Sequence, residues 1–389
     1  MSIQIVHCSD IHLDRPFNFG DPERSSKRRE DVENNFIKIV EFALKDKPDL
    51  FLISGDVFDR VNPSNEARSF LTAQIRKLKD TNIEVVIIGG NHDVPKIGSE
   101  AMAIDTLQSA GLATVFSDSI NFQEKKISVN GKVIQVVGKS YNTKNQAQNP
   151  FANYNIKKDG KYVVCLIHGS LIGLNVTPVN LNDSHYNPFG VNDINSSIDY
   201  LALGHYHSKF TRQMNTTSIC NPGSIEKLSW SEENDSKGFA FVELGENDNK
   251  VDTISLPSRN LKTIEVSLDR EIPDINQHII ELINKTGDSE SLCRMMIKGI
   301  ITQEQQKTMK MNLLAKEANQ YFFHVDLNLN ELEIEGFGKV FLGKMDNPKE
   351  AFEKHLDNLI SSNYDSTQIK FLENAKQRGM RYLEEQFDN

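Results

Sequence analysis

The stretch Val85–Pro95, VVIIGGNHDVP, carries the pattern that decides the fold. Four β-branched residues run into two glycines, and Asn91, His92 and Asp93 follow directly. A short apolar run that ends at glycine is typical of a buried strand leading into a turn. A turn alone needs only Gly, Asn or Asp, so the imidazole of His92 indicates chemistry where the chain leaves the sheet.

Four more strand-like runs end in residues that bind metals. They are IQIVHCSDIH (3–12), DLFLISGDVFD (49–59), YVVCLIHGS (162–170) and DYLALGHYH (199–207). Another apolar run, KVIQVVGKSY (132–141), lacks such an ending and predicts a further core strand.

Helical patterns separate the first strands. Residues 29–47 and residues 64–79 both repeat apolar side chains at i, i+3/i+4 and i+7, the spacing of one buried helix face. Ser64 or Asn65 is the expected N-cap of the second helix. Alternation of strand and helix predicts an α/β core with largely parallel strands, in which sites form beyond the carboxyl ends of the strands.

The pattern changes after the fifth strand end. Short strand-like runs with Gly, Pro and Asn turns lead to Pro257, where a strand–helix–strand–helix–strand pattern begins. The last part is polar and predicts two short amphipathic helices, which bury little surface alone and are expected to dock on a partner. We therefore predict a main domain over residues 1–256, a small α/β capping domain over 257–337 and a helical tail over 338–389.

Composition excludes some classes of protein. The chain has 389 residues and a formal net charge of −10, so it lacks an overall basic surface. Contacts with nucleic acid would have to come from local Lys/Arg clusters or from bound cations.

The cysteines and the hydropathy indicate a cytoplasmic protein. Four cysteines without a CxxC pair predict buried thiols in a reducing compartment; they are Cys8, Cys165, Cys220 and Cys293. No apolar run approaches the ~18 residues of a membrane span, so we expect a soluble chain that does not attach to membranes.

The five strand ends together supply two Asp, one Asn and four His. This candidate ligand set is Asp10, His12, Asp56, Asn91, His168, His205 and His207. Seven ligands with one shared carboxylate fill two four-ligand half-sites, and Asp56 is the natural bridge between two cations ~3.5–4 Å apart. The lack of Cys ligands argues against structural zinc, and the mixture of imidazole and carboxylate suits Mn, Fe, Zn or Ni.

The ordered motifs DxH, GDxxD, GNHD, H and GHxH resemble those of the calcineurin-like metallophosphoesterase superfamily. The resemblance implies a layered αββα sandwich of two sheets flanked by helices. It also implies two sets of ligands: Asp10, His12, Asp56 and His207 for the first ion, and Asp56, Asn91, His168 and His205 for the second.

The resemblance further implies how the site acts. A hydroxide held by the ions would attack phosphorus in line while the cations neutralise the non-bridging oxygens. His92 would face the substrate and stabilise the transition state or protonate the leaving oxygen, with Asp93 orienting His92 from behind. Some relatives have histidine where Asp59 stands, so Asp59 is either a support for a ligand or a turn carboxylate.

Residues 1–256 are similar in more detail to DNA repair nucleases of the SbcD and meiotic-recombination-eleven type. The near matches are HCSDIHLDRPF, ISGDVFDRVNPS, IGGNHDVP, YLALGHYH and CNPGSIEKLSW…KGFAFVEL. The resemblance implies manganese-dependent double-strand exonuclease and single-strand endonuclease activity in double-strand-break repair. It also implies a homodimer whose tail binds an SMC-like coiled-coil ATPase of the SbcC type.

Two other functions stay open at this stage. The same superfamily includes enzymes that act on cyclic nucleotides or nucleoside pyrophosphates, although an added cap and docking tail do not favour them. A scaffold that has lost catalysis is the third alternative, and the complete ligand set argues against it.

One basic cluster is a candidate for DNA binding. The segment ERSSKRRE contains Arg24, Lys27, Arg28 and Arg29 directly after the first motif. It predicts either contacts with the phosphate backbone or an ordinary solvated helix start. The neighbouring DRPFNFG adds two aromatic side chains that could stack on an unpaired base. Among the other histidines, His7 is expected in the core. His185 lies in the polar loop NDSHYNPFG and is a minor candidate for contact with the substrate.

Overall fold

The structure is a computed structural model. It describes residues 2–96, 101–129, 131–152, 154–173, 186–246, 248–336, 338–339, 352–353, 356–357, 360 and 366–387. Within these ranges, no helix has both the length and the apolar character needed to cross a membrane.

The described residues form eighteen strands. In chain order, β1 to β18 are Ile3–Cys8, Leu50–Ser54, Glu84–Ile88, Thr114–Phe116, Gln123–Val129, Lys132–Gly138, Tyr162–His168, Leu171–Ile172, Phe189–Gly190, Tyr200–Gly204, Phe210–Met214, Thr217–Asn221, Gly238–Leu244, Asn249–Ser255, Leu261–Leu268, Asp288–Ile301, Phe322–Ile334 and Gly338–Lys339.

Seven α-helices have both of their ends within the described residues. In chain order, α1 to α7 are Pro22–Asp46, Asn65–Asp80, Asp105–Ser109, Ile275–Thr286, Gln303–Thr308, Met311–Tyr321 and Ser366–Phe387. Two single-turn 3₁₀ helices cover Val191–Asp193 and Trp230–Glu232.

Two six-stranded sheets form the main part of the chain. The first has the spatial order β14-β13-β1-β2-β3-β4, and the second has the order β11-β12-β10-β7-β6-β5. Strands β1 to β4 are parallel, as are β6, β7, β10 and β12. The predicted α/β sandwich of two sheets flanked by helices is therefore confirmed, and the run at 132–141 contains the core strand β6.

Burial on both faces explains why these strands are nearly continuous apolar runs. In β2, Leu50 and Leu52 pack between the two sheets, whereas Phe51 and Ile53 pack against α1 and α2. Successive side chains of a strand point to opposite faces, so a strand buried on both sides needs apolar residues throughout. The outer face of the second sheet is covered by loop residues such as Phe151 and Ile198.

The first helix begins at Pro22, about two turns before the segment 29–47 whose apolar pattern predicted it. The Asp21 carboxylate accepts hydrogen bonds from the backbone N–H groups of Glu23 and Arg24, and Pro22 occupies the first helical position. In α2, the predicted N-cap is confirmed because Ser64 Oγ accepts the backbone N–H of Ala67 at 3.2 Å.

Internal contacts divide the chain into two units. The first contains residues 1–262 with 290–292, and the second contains residues 263–289 and 293–389. This places the main change at residue 262, close to the predicted boundary at 256.

The second unit has its own four-stranded sheet, with the order β15-β16-β17-β18. Helices α4 and α6 bury apolar faces against that sheet through Ile279, Ile283, Leu314 and Ala318. The predicted strand–helix alternation is present, with α5 and β18 as additional elements. Of the two tail helices expected from the sequence, α7 is described, and most of the first falls outside the described residues.

Candidate metal centre

The ends of five parallel strands bring all seven predicted ligands into one region. Asp10 and His12 follow β1, Asp56 follows β2 and Asn91 follows β3. His168 is the last residue of β7, and His205 and His207 follow β10. In α/β sheets the carboxyl ends of the strands are where functional residues meet.

The first half-site groups Asp10, His12, Asp56 and His207. The Nε2 atoms of His12 and His207 lie 3.2 Å apart, and His12 Nε2 is 3.7 Å from Asp56 Oδ2. Donor atoms of Asp10, His12 and His207 all lie within 4.8 Å of one another. Asp10 is held by the backbone N–H of His205, which lies 3.1 and 3.2 Å from its two carboxylate oxygens.

The second half-site groups Asp56, Asn91, His168 and His205. Asn91 Oδ1 lies 3.0 Å from His168 Nε2 and 3.2 Å from His205 Nδ1. His168 Nε2 is also 3.4 Å from Asp56 Oδ2, the oxygen that faces His12 in the first half-site. One carboxylate oxygen therefore lies between the two groups of imidazoles.

Four of the candidate ligands have left-handed backbone. The φ angles are +50° for Asp10, +50° for His12, +48° for Asp56 and +108° for His205. Residues other than glycine rarely adopt this region, and such strain concentrates at functional sites. Hydrogen bonds between the loops hold it in place: Asp10 N donates to Gly55 O at 3.1 Å, and His12 N donates to Asp56 O at 3.0 Å.

Two glycines allow the loops to approach the candidate ligands. A Cβ on Gly90 would overlap the Asp56 carboxylate, and a Cβ on Gly55 would overlap the His168 imidazole. Gly55 also has a φ of +94°, a conformation that side-chain-bearing residues rarely adopt.

Three of the four histidines are anchored through Nδ1. His12 Nδ1 lies 3.0 Å from Asp59 Oδ1, His207 Nδ1 lies 2.9 Å from Glu232 Oε1 and His168 Nδ1 lies 2.9 Å from the Ser54 carbonyl oxygen. Each of these acceptors requires a proton on Nδ1, so the neutral form of each ring carries its lone pair on Nε2.

This donor set fits divalent cations. With both Nδ1 atoms protonated, the lone pairs of His12 Nε2 and His207 Nε2 face each other across 3.2 Å. Two acceptors at that distance repel unless a proton or cation lies between them, and buried carboxylates beside them favour a cation. The mixture of imidazole, carboxylate and amide oxygen suits manganese, iron or zinc.

Asp56 and His168 each favour the charged form of the other. Burial opposes a charge on His168, but the Asp56 carboxylate raises its pKa to about 9. Burial likewise opposes a charge on Asp56, yet His168 and His12 hold the pKa of that carboxyl far below its usual range. Asp56 is therefore an anion that needs positive charge beside it.

The predicted partnership of Asp93 with His92 is wrong. The Asp93 carboxylate instead accepts the backbone N–H groups of Val57, Phe58 and Gly90 at 2.9–3.0 Å. His92 Nδ1 lies 2.9 Å from the backbone carbonyl oxygen of Asp59. Asp93 thus joins the loops after β2 and β3, while Asp59 orients His92.

Asp59 supports the site through both its carboxylate and its backbone. Besides His12, its carboxylate contacts Arg15 Nη1 at 2.7 Å. Of the two alternatives open from the sequence, the structure favours support of a ligand over a plain turn carboxylate.

Glu232 was not found by sequence reasoning. Its buried carboxylate accepts from His207 Nδ1, Ser229 Oγ and Ser224 Oγ at 2.9–3.1 Å and pairs with the buried ammonium of Lys237. Glu232 is 25 residues beyond His207 in the sequence and lies in no motif, so residue type and local spacing carried no signal.

The basic cluster after the first motif is only partly available to DNA. Arg28 is 1% exposed, bonds to Glu226 at 3.1 Å and to the Lys227 carbonyl oxygen, and packs over Phe17. The prediction that Arg28 contacts DNA is therefore wrong. Arg24 pairs with Asp21, Lys27 is exposed beside Glu30, and Arg29 lies among acidic residues of α1 and α2.

His7 and the four cysteines are buried, as predicted. His7 is buried and bonds to Tyr200 and Ser54 at 2.8 and 2.7 Å. Burial lowers the pKa of His7 to about 3, so it is a neutral core residue. All four cysteines are free and buried. His185 lies outside the described residues, whereas the adjacent Tyr186 packs on the His205 ring.

Comparison with known proteins identifies the family. Residues 3–209 match the calcineurin-like phosphoesterase family, a stretch that contains all seven candidate ligands and more than half of the chain. This chain belongs to the calcineurin-like phosphoesterase family. Membership places it among the metal-dependent phosphoesterases, as the ordered motifs predicted.

Three proteins with known names are similar in sequence to this chain. The uncharacterized metallophosphoesterase YhaO of Bacillus subtilis is 28% identical over 253 residues, 63% of this chain and 58% of that protein. The DNA double-strand break repair protein Mre11 of Methanocaldococcus jannaschii is 27% identical over 304 residues, which cover 75% of this chain and 74% of that protein. The SbcCD nuclease subunit of Staphylococcus epidermidis is 25% identical over 304 residues, covering 73% of this chain and 77% of its own.

Proposed function

We propose that this chain is a two-metal DNA nuclease that hydrolyses phosphodiesters, with Mn²⁺ as the working ion. The observation that carries the proposal is the convergence of the seven side chains around the shared Asp56 carboxylate. That arrangement matches a pair of four-ligand half-sites that share one bridging oxygen.

Each half-site has a defined set of donors. Asp10, His12, Asp56 and His207 would hold one ion, and Asp56, Asn91, His168 and His205 would hold the other. When bound, the two ions supply an activated water and neutralise charge on the phosphoryl oxygens.

His92 is the proposed catalytic residue outside the ligand set. Its Nδ1 is held by the Asp59 carbonyl oxygen, so Nε2 remains for the substrate. The backbone N–H of His92 donates to Asp56 Oδ1 at 2.9 Å, which fixes His92 next to the proposed bridge. A protonated Nε2 in this place stabilises the transition state or donates to the leaving oxygen.

Asp93 acts in this proposal as a positioning residue. Its carboxylate joins three backbone N–H groups from the loops that carry Asp56 and His92. Correct placement of these two residues depends on that connection, although Asp93 itself does not touch the reacting atoms.

The substrate class is supported by the extent of the similarity to nucleases. The matches to the Mre11 and SbcCD proteins cover 304 residues, whereas the phosphoesterase family match ends at residue 209. Similarity therefore continues beyond the catalytic domain. We propose DNA as the substrate and double-strand-break repair as the setting, with Arg24, Lys27 and Arg29 as candidate phosphate contacts.

We also propose that the chain works as a homodimer bound to a coiled-coil ATPase of the SbcC type. The name of the Staphylococcus epidermidis relative describes one part of a larger nuclease, SbcCD. The tail helix α7 supplies a candidate docking element, because Phe371 on that helix is 72% exposed.

The test is a cleavage assay with purified chain, Mn²⁺ and end-labelled linear duplex DNA, together with circular single-stranded DNA. We expect release of nucleotides from the duplex ends and nicking of the circle. Asp56→Asn should abolish both activities. Failure on every DNA form, with turnover of a cyclic nucleotide or a phosphomonoester, would reject DNA as the substrate.

A further inference from the structure

The two half-sites differ in what holds their histidines. In the first, the Nδ1 atoms of His12 and His207 face the carboxylates of Asp59 and Glu232 at 3.0 and 2.9 Å. In the second, His168 Nδ1 faces a backbone carbonyl oxygen, and His205 turns Nδ1 toward Asn91. Within the described residues, the buried Nε2 of His205 has no hydrogen-bond partner.

Both of the carboxylates that contact these histidines are also paired with a cationic side chain. Glu232 is 2% exposed and pairs with Lys237, which is also 2% exposed. The Asp59 carboxylate pairs with Arg15 at 2.7 Å. Buried carboxylates are retained when paired and hydrogen-bonded, and each of these reserves one position for an imidazole N–H.

A carboxylate that accepts from Nδ1–H makes the opposite nitrogen a stronger donor. It fixes the tautomer and ring orientation, and it raises the basicity of Nε2 more than a neutral carbonyl does. The side chains that would contact the ions add to the difference between the half-sites. The first half-site has the carboxylates of Asp10 and Asp56, whereas the second shares Asp56 and adds only the neutral amide of Asn91.

We propose that the two half-sites have unequal metal affinity, with the His12–His207 half-site filled first because Glu232 and Asp59 strengthen its histidines. This inference rests on the metal centre of the proposed function and concerns the order of filling rather than the substrate. Glu232 and Asp59 are positioning residues that act through His207 and His12. The Asn91 half-site is then the exchangeable one.

The test is a titration of metal-free protein with Mn²⁺ that counts free ion by electron paramagnetic resonance. The unaltered chain should bind one ion tightly and a second more weakly. Glu232→Gln should weaken Mn²⁺ affinity about 10–100-fold at the tighter class of site, which is the usual effect of removing a hydrogen-bond partner of a ligand. The affinity of the weaker class of site should change by no more than about threefold. Asn91→Ala should remove the weaker class and keep the tighter one.

Glu226→Gln is the matched control. Glu226 is also a 2% exposed glutamate in the same segment, but it bonds to Arg28, Asn35 and the Lys227 backbone rather than to a histidine. It should leave both classes unchanged. If the loss of the Glu232 charge leaves Lys237 with only its 3.4 Å pair to Asp235 and prevents folding, Asp59→Asn gives an independent measurement through the more exposed partner of His12.

The outcomes separate this inference from the proposed function. Two equal classes, or equal effects of Glu232→Gln and Glu226→Gln on the tighter class, would overturn the inference even if the protein cuts DNA. Unequal classes with the predicted response to Glu232→Gln would support it even if no DNA form is cleaved.

Discussion

The Nδ1 atom of His92 lies 2.9 Å from the backbone carbonyl oxygen of Asp59. The orientation of the proposed catalytic imidazole thus depends on the loop after β2 rather than on the carboxylate that follows His92 in the sequence. Because the acceptor is a backbone atom, replacing the Asp59 side chain does not remove it. The His92 imidazole and the Asp59 carboxylate can therefore be substituted independently.

Replacing His92 with glutamine should stop catalysis without removing the ions. Glutamine keeps hydrogen-bonding capacity but cannot act as an imidazole acid, and general acid–base groups contribute about 10²–10⁴-fold to rate. We expect DNA cleavage to fall by that factor while Mn²⁺ binding stays at two ions per chain. Loss of either ion in His92→Gln would show that His92 is a ligand instead.

Substitution of Asp93 should lower the stability of the fold. Asp93→Ala leaves the backbone N–H groups of Val57, Phe58 and Gly90 without their acceptor, and each buried unsatisfied donor costs about 1–3 kcal/mol. We expect a clear fall in the unfolding midpoint measured by circular dichroism in the metal-free protein. An unchanged midpoint with lost activity would restore a direct catalytic role for Asp93.

Arg28 and Lys27 form a pair of variants that separates packing from DNA binding. Arg28→Ala removes a buried partner of Glu226 and should destabilise the fold by about 3–5 kcal/mol, measured by urea unfolding. Lys27→Ala should leave stability nearly unchanged, because its 3.5 Å pair with Glu30 is exposed.

The DNA side of this pair is measured by the salt dependence of binding. If Lys27 contacts a phosphate, Lys27→Ala should reduce the slope of log affinity against log salt by about one. An unaltered slope would remove Lys27 from the interface. A stable, fully folded Arg28→Ala would contradict the buried ion pair.

The tail helix should carry the ATPase interaction. Phe371→Asp places a charge on an exposed apolar side chain of α7, and we expect it to abolish co-purification with an SbcC-type ATPase while single-strand cleavage continues. Gln377→Asp is the matched control on another face of the same helix. Equal retention of the ATPase by both variants would show that α7 is not the docking element.

The sequence predicted the ligand set because that information is local. Each candidate ligand lies at most four residues beyond a strand, and parallel strands bring their carboxyl ends together whatever the intervening loops contain. The supports of the ligands were not predictable in this way. Glu232 and Asp59 reach His207 and His12 across 25 and 47 residues, so only the tertiary fold pairs them.

Helical spacing could have predicted that Arg28 is buried, but its position in a basic cluster favoured an exposed side chain. Arg28 precedes Val32 by four residues and Phe36 by eight, so it lies on the buried face of α1. A charge at such a position needs a buried counter-ion, and Glu226 supplies it from 198 residues away. Helical spacing thus placed Arg28 inside, although its partner could not be identified from the sequence.

The most direct measurement is anomalous diffraction at the manganese edge from crystals grown with Mn²⁺. We predict two peaks ~3.5–4 Å apart with Asp56 between them, one beside His12 and His207 and the other beside Asn91 and His168. In Asp56→Asn both peaks should weaken together. A single peak, or peaks away from these seven side chains at saturating Mn²⁺, would contradict the two-metal centre.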